Sequence, residues 1–91
     1  MTDLTNTAFL MCSEDYKERF TAEYWQLRTR LESLNRMIEK YEAGTLSFTP
    51  NCPIHVLKRQ AEAMTRYLEI LMMRAEIEHI NLSESVFYEK P

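Results

Sequence analysis

Tyr16-Lys17-Glu18-Arg19-Phe20-Thr21-Ala22-Glu23-Tyr24-Trp25-Gln26-Leu27-Arg28-Thr29-Arg30-Leu31-Glu32-Ser33-Leu34-Asn35-Arg36-Met37-Ile38-Glu39-Lys40-Tyr41 is the stretch that decides the fold. Its apolar positions are Tyr16, Phe20, Tyr24, Leu27, Leu31, Leu34, Ile38 and Tyr41, with steps of 4, 4, 3, 4, 3, 4 and 3. An alternating 3–4 spacing keeps one stripe on one side of an α-helix, and no glycine or proline interrupts it. Upstream, Ser13 is a suitable N-cap, and Glu14 and Asp15 favour the positive end of the helix dipole. Downstream, Gly44 supplies a left-handed stop. The spacing predicts a helix over about 14–43, roughly 45 Å long at 1.5 Å per residue.

Residues 44–52, with Pro53 following, form the one clear connection. Pro50 and Pro53 end helical structure there and hold the backbone partly extended. Leu46 and Phe48 are apolar in an otherwise polar loop and are expected to pack back onto the helices. Asn51 or Cys52 is the expected cap of the next helix, with Pro53 in its first turn. That second long helix is predicted over about 53–81 and carries two apolar stripes. Leu57, Ala61, Met64, Leu68, Leu71 and Ala75 form the first. Tyr67, Ile70, Met73, Ile77 and Ile80 form the second, beginning halfway along.

The flanks complete a single domain over 1–91. Residues 2–12, ending in Ala8-Phe9-Leu10-Met11-Cys12, suffice for one or two helical turns or an apolar flap, and a short N-terminal helix is expected over about 3–11. Residues 82–91 form a tail with the apolar run Val86-Phe87-Tyr88. The fold class is therefore all-α, a short helix followed by an antiparallel hairpin of two long ones. A hairpin buries one stripe from each helix, so the second stripe has no partner within one chain other than the N-terminal segment or the tail. An uncovered row of Ile, Met and Tyr marks a protein contact. A chain of 91 residues also gains from partner chains, because its own core is small. An oligomeric helical assembly follows, with Tyr67, Ile70, Met73, Ile77 and Ile80 as its interface.

Composition excludes several classes. One glycine and three prolines argue against repetitive or turn-rich architectures, and a chain 45% hydrophobic and 27% charged is too apolar for a disordered tail. No run approaches the length of a membrane span, and the start Met1-Thr2-Asp3-Leu4-Thr5 lacks a secretory pattern, so a cytoplasmic protein is expected. A net charge of −3 disfavours a broad basic surface for long nucleic acid. Cys12 and Cys52 lack CxxC spacing and are best read as buried small hydrophobes. His55 and His79 are too far apart, with no cysteine companions, to suggest a zinc site. A single glycine cannot build a phosphate-cradling loop, and neither a HExxH pair nor a Ser–His–Asp order occurs. Glu62, Glu69 and Glu76 alternate with Arg59 and Arg66 as a solvated helix face does. Nothing supports an enzyme, a metal or a cofactor.

The basic groups of the first long helix carry more. Lys17, Arg19, Arg28, Arg30, Arg36 and Lys40 exceed what local glutamates neutralise near its aromatic start. Arg19 and Arg30 share a face to within roughly 20°. Tyr16, Tyr24 and Trp25 place aromatic planes near these charges, and stacking beside guanidinium groups is how proteins hold a nucleobase and its phosphate. The plainer reading makes Tyr16 and Tyr24 core residues and Trp25 an interface residue.

Glu18-Arg19-Phe20, Glu23, Leu27, Arg30-Leu31, Leu34 and Met37-Ile38 resemble the first-helix signature of a family of small phage proteins. Leu57-Lys58-Arg59-Gln60-Ala61-Glu62-Ala63-Met64-Thr65-Arg66-Tyr67, then Ile70-Leu71 and Arg74, are similar to its second-helix signature. The likeness spans about residues 14–78. That family includes anti-CBASS sponges, which bind cyclic oligonucleotide second messengers and keep them from host effectors. The resemblance implies a helical protomer assembled as a homo-oligomer, typically a hexamer. It implies binding without hydrolysis, in the cytoplasm of a phage-infected bacterium, of cyclic dinucleotides such as cyclic GMP–AMP or of cyclic trinucleotides. Carried onto this chain, the ligand-binding roles fall on Tyr16 and Arg30, with Lys17 and Arg19 as neighbours. A helical interaction module acting on a host protein is the competing expectation, and a DNA-binding regulator is disfavoured by the acidic balance.

Overall fold

The computed structural model describes residue 12 and residues 14–82. Among them the chain forms two α-helices and no strand: α1, Tyr16–Ala43, and α2, Ile54–Glu78. They pack antiparallel as the hairpin expected from the two 3–4 stripes. The predicted short helix over 3–11 and the apolar run at 86–88 lie outside the described residues.

Helix α1 begins two residues later than the composition of its first turn suggested. Asp15 is the N-cap, extended at φ −76°, ψ 116°, and its carboxylate accepts the Lys17 N–H at 2.9 Å. This satisfies one of the first-turn amides that have no intrahelical partner. At the other end Gly44 takes φ 75°. Its N–H donates to the Tyr41 carbonyl at 3.1 Å and the Thr45 N–H to that of Lys40 at 2.9 Å. These paired bonds make a Schellman motif, and the positive φ is why glycine stands there.

Helix α2 departs from expectation at both ends. Pro53, rather than Asn51 or Cys52, occupies the N-cap, with no side-chain cap. Its carbonyl accepts the Val56 and Leu57 N–H groups at 3.1 and 3.3 Å. The extended ψ of 143° sets Pro53 just outside the first turn. The C-terminus comes three residues early, at Glu78. His79 adopts φ 57° as a left-handed cap, and the Ile80 N–H reaches back to the Ala75 carbonyl at 2.8 Å. This second Schellman motif carries its usual apolar contact, because Ile80 folds under the helix end beside Leu71 and Ala75.

That turn corrects one expected interface residue. Ile80 is only 8% exposed and belongs to the core of a single chain, whereas Tyr67, Ile70, Met73 and Ile77 stand open, Ile77 at 73%. Helical periodicity had carried the second stripe one step beyond where the helix stops.

The core runs along the hairpin in two clusters. Phe20, Ala22, Tyr24, Trp25 and Leu27 meet Leu71, Ala75 and Ile80, with Met64, Leu68 and Leu82 packed alongside. Nearer the connection, Leu31, Ile38 and Ala61 are joined by Leu34, Ile54 and Leu57. The first α2 stripe is thus the buried one. Trp25, expected at an interface, is buried instead: its ring meets Tyr24 edge-on at 5.2 Å and its indole N–H donates to the Leu82 carbonyl at 2.9 Å. Tyr24 is core as expected, but Tyr16 at the open end of α1 is not. Phe48 does not pack back and is largely exposed, while Leu46 is half-buried. Cys12 is exposed and Cys52 half-buried, so neither thiol is the fully buried hydrophobe its type suggested. Lys58 closes the base of the connection through an ion pair to Glu42 at 2.6 Å.

Candidate functional site

At the open end of the hairpin, the first turns of α1 face the last turns of α2. Tyr16, Arg19, Phe20 and Glu23 rise from α1 and Arg74 from α2 to line a cleft of about 240 Å³. Phe20 belongs to the core, so its ring forms a fixed apolar floor. The Arg74 guanidinium lies over that ring, 4.8 Å from its centroid. The Tyr16 ring tilts against the same phenyl at 6.3 Å.

Three polar side chains close a triangle around this floor. Arg74 donates from Nη2 to Tyr16 Oη at 2.6 Å and from Nε to Glu78 Oε2 at 3.1 Å. Tyr16 Oη in turn donates to Glu78 Oε1 at 2.8 Å. The Tyr16 hydrogen bond, assisted by the Arg74 bond and charge, holds the Glu78 carboxyl below the ordinary carboxylate range. The same hydrogen bond from the other side, together with burial, raises the Tyr16 phenol. Arg74 stays firmly protonated, held by Glu78 first.

One heptad further along α1 and one back along α2, the Tyr67 hydroxyl bonds to the Glu23 carboxylate. A further heptad along α1 is Arg30, which helical periodicity keeps on the same side as Glu23. Helical spacing sets Ile70, four residues before Arg74, and Ile77, three after it, on the same side of α2 as that arginine.

The four expected ligand residues are not gathered in one place. Tyr16 and Arg19 share the cleft. Lys17 points to the opposite flank, where it lines a separate hollow with Asp15, Thr21 and His79. Arg30 is fourteen residues beyond Tyr16, about 21 Å along the axis. Arg74, Phe20 and Glu78 were not anticipated as site residues. Their available signal was the matched heptad spacing of Tyr16–Glu23 and Tyr67–Arg74, which pairs only once the antiparallel register is set. Among the described residues no group of three or more His, Cys, Asp or Glu side chains could hold a metal ion, and no helix is long and apolar enough to cross a membrane.

Fold and cleft together define a small helical-hairpin protein with an open site of aromatic rings and guanidinium groups. Residues 14–77, most of the chain, match the family model described as Sequestin, and the chain belongs to the Sequestin family. No curated protein and no solved structure gives a significant match. The family's name assigns a sequestering role, consistent with the resemblance to anti-CBASS sponges.

Proposed function

We propose that this protein binds cyclic di- or trinucleotide second messengers and sequesters them uncleaved, so that a phage blocks CBASS signalling in the cytoplasm of its host. The observation that carries this reading is the cleft itself, two guanidinium groups and two aromatic rings set side by side in a Sequestin-family chain. Aromatic rings accept a base face and guanidinium groups accept a phosphate, and together they match an anionic ring of nucleotides.

The ligand-binding residues are Tyr16, Arg19, Lys17 and Arg30, supplied by more than one copy. Tyr16 and Arg30 stand fourteen residues apart, about 21 Å along the helix axis. In the arrangement we propose, Arg30 reaches a ligand held at Tyr16 from a neighbouring protomer. The row Tyr67, Ile70, Met73 and Ile77, exposed in one chain, is the surface where we place that neighbour, and a homohexamer is the assembly we favour. A two-fold contact offers its residues twice, matching a ligand with two phosphates.

Calorimetric titration with cyclic GMP–AMP, followed by heating and recovery of the nucleotide, tests the reading. Intact released ligand is the expected result. Tyr16→Ala and Arg30→Ala are each expected to weaken binding by about 1.5–3 kcal/mol, the range of a lost charge-assisted contact, with helical content unchanged. No affinity for any cyclic di- or trinucleotide removes the proposal. The same exposed row favours a second reading, a helical module that inhibits a host protein directly. It predicts no nucleotide affinity.

A further inference from the structure

Arg74 is the side chain whose geometry goes furthest beyond the residues already named. A guanidinium carries five N–H donors in one plane. Nε–H is engaged by Glu78 and one Nη2–H by Tyr16. The other three, including both on Nη1, have no partner among the described residues. The plane itself is fixed three ways, by the carboxylate at one edge, the phenol at another and the Phe20 ring beneath. Side-chain freedom that a bound anion would otherwise have to remove has already been lost here.

We infer that Arg74 is a phosphate-contacting residue of the cleft, presenting its free edge to a phosphodiester of the cyclic nucleotide while Tyr16 and Glu78 hold its plane. This rests on the sequestering reading above and adds a residue from the second helix to it. A planar fork accepts two phosphate oxygens at once, where an ammonium acts as a point charge. Glu78 also neutralises part of the local charge. A nearby unfavourable carboxylate makes orientation, rather than net charge, the reason for affinity at this position.

The test compares the wild-type chain, Arg74→Lys, Arg74→Gln and Arg28→Gln by calorimetry with cyclic GMP–AMP. Helical circular dichroism is recorded for each. Arg28 lies over Trp25 at 4.9 Å and pairs with Glu32, away from the cleft, so it controls for the charge change. Arg74→Lys and Arg74→Gln are expected to lose tenfold or more in affinity with helical content retained, and Arg28→Gln to bind as the wild type does. Equal losses at positions 28 and 74 mean that net charge, and not a placed fork, is at work, which overturns the inference. Wild-type affinity in Arg74→Lys overturns it too, whether or not Arg74→Gln folds, and leaves the sequestering reading standing. A wild-type protein that binds no cyclic nucleotide overturns both.

Discussion

Within the cleft, Tyr16, Arg74 and Glu78 form a polar triangle whose protonation has a definite sign. Glu78 has its folded carboxyl pKa depressed, so its contribution to stability is present above the ordinary carboxylate value of about 4.3. It is lost as pH falls through the lower folded value. Tyr16 has its pKa raised, so its contribution is present below about 10 and lost as pH rises through the folded value. All three groups meet water, so the effect is read as a difference in slope. Thermal unfolding between acid and neutral pH should show the wild type losing more stability on acidification than Glu78→Gln. Parallel curves for the two proteins would mean that the triangle does not couple to folding. Tyr16 and Arg19 were legible beforehand because aromatic and basic residues crowd one helical start. Arg74 was not, since a lone arginine on a charged helix gains meaning only from what the opposing helix places against it. Lys17 and Arg30 satisfied the same compositional criterion, yet helix geometry directs one to another flank and sets the other several turns away.

The two helices were readable because spacing is a local property that tertiary packing then confirms. Their ends were less so, because capping depends on single backbone conformations. Gly44 announced its left-handed turn, since glycine carries no Cβ penalty there. His79 performs the same office without any such signal, with φ 57°. A left-handed conformation costs a residue with a side chain about 1–2 kcal/mol, and here it is offset by the buried Ile80 contact and the recovered carbonyl bonds. His79→Gly removes that strain but adds backbone freedom to the unfolded chain. Setting about 0.5–1 kcal/mol for that freedom against about 1–2 kcal/mol of strain leaves a net stabilisation of about 0.5–1 kcal/mol. In a domain of this size that raises the melting temperature by roughly 2–8 °C. A lowered melting temperature would mean that the histidine ring itself, not the turn, secures the end of α2. The same motif explains why the apolar stripe was extended one residue too far: periodicity has no means of registering a reversal of the chain.

At the scale of the molecule, the hairpin leaves Tyr67, Ile70, Met73 and Ile77 in water along the side that also bears the cleft. Covering each such side chain contributes on the order of 1–2 kcal/mol. Association costs roughly 4–15 kcal/mol in lost freedom, so four side chains against an indifferent surface give a weak contact. A self-complementary contact presents the row twice, and eight covered side chains contribute about 8–16 kcal/mol, a gain of the same size as that cost rather than below it. In the proposed assembly, one neighbour would both cover the row and complete the site. Ile77→Asp separates assembly from folding. Its side chain is largely open in a single chain, so the hairpin should keep its helicity, while a carboxylate placed in an apolar contact should drive the particle toward lone protomers. Ile80→Asp is the counterpart, since a charge forced into the core should unfold the chain rather than dissociate it. Light scattering and circular dichroism on both variants distinguish the outcomes. If Ile77→Asp leaves the particle mass unchanged, the row is not the contact between copies, and the neighbour proposed to supply Arg30 is not held there.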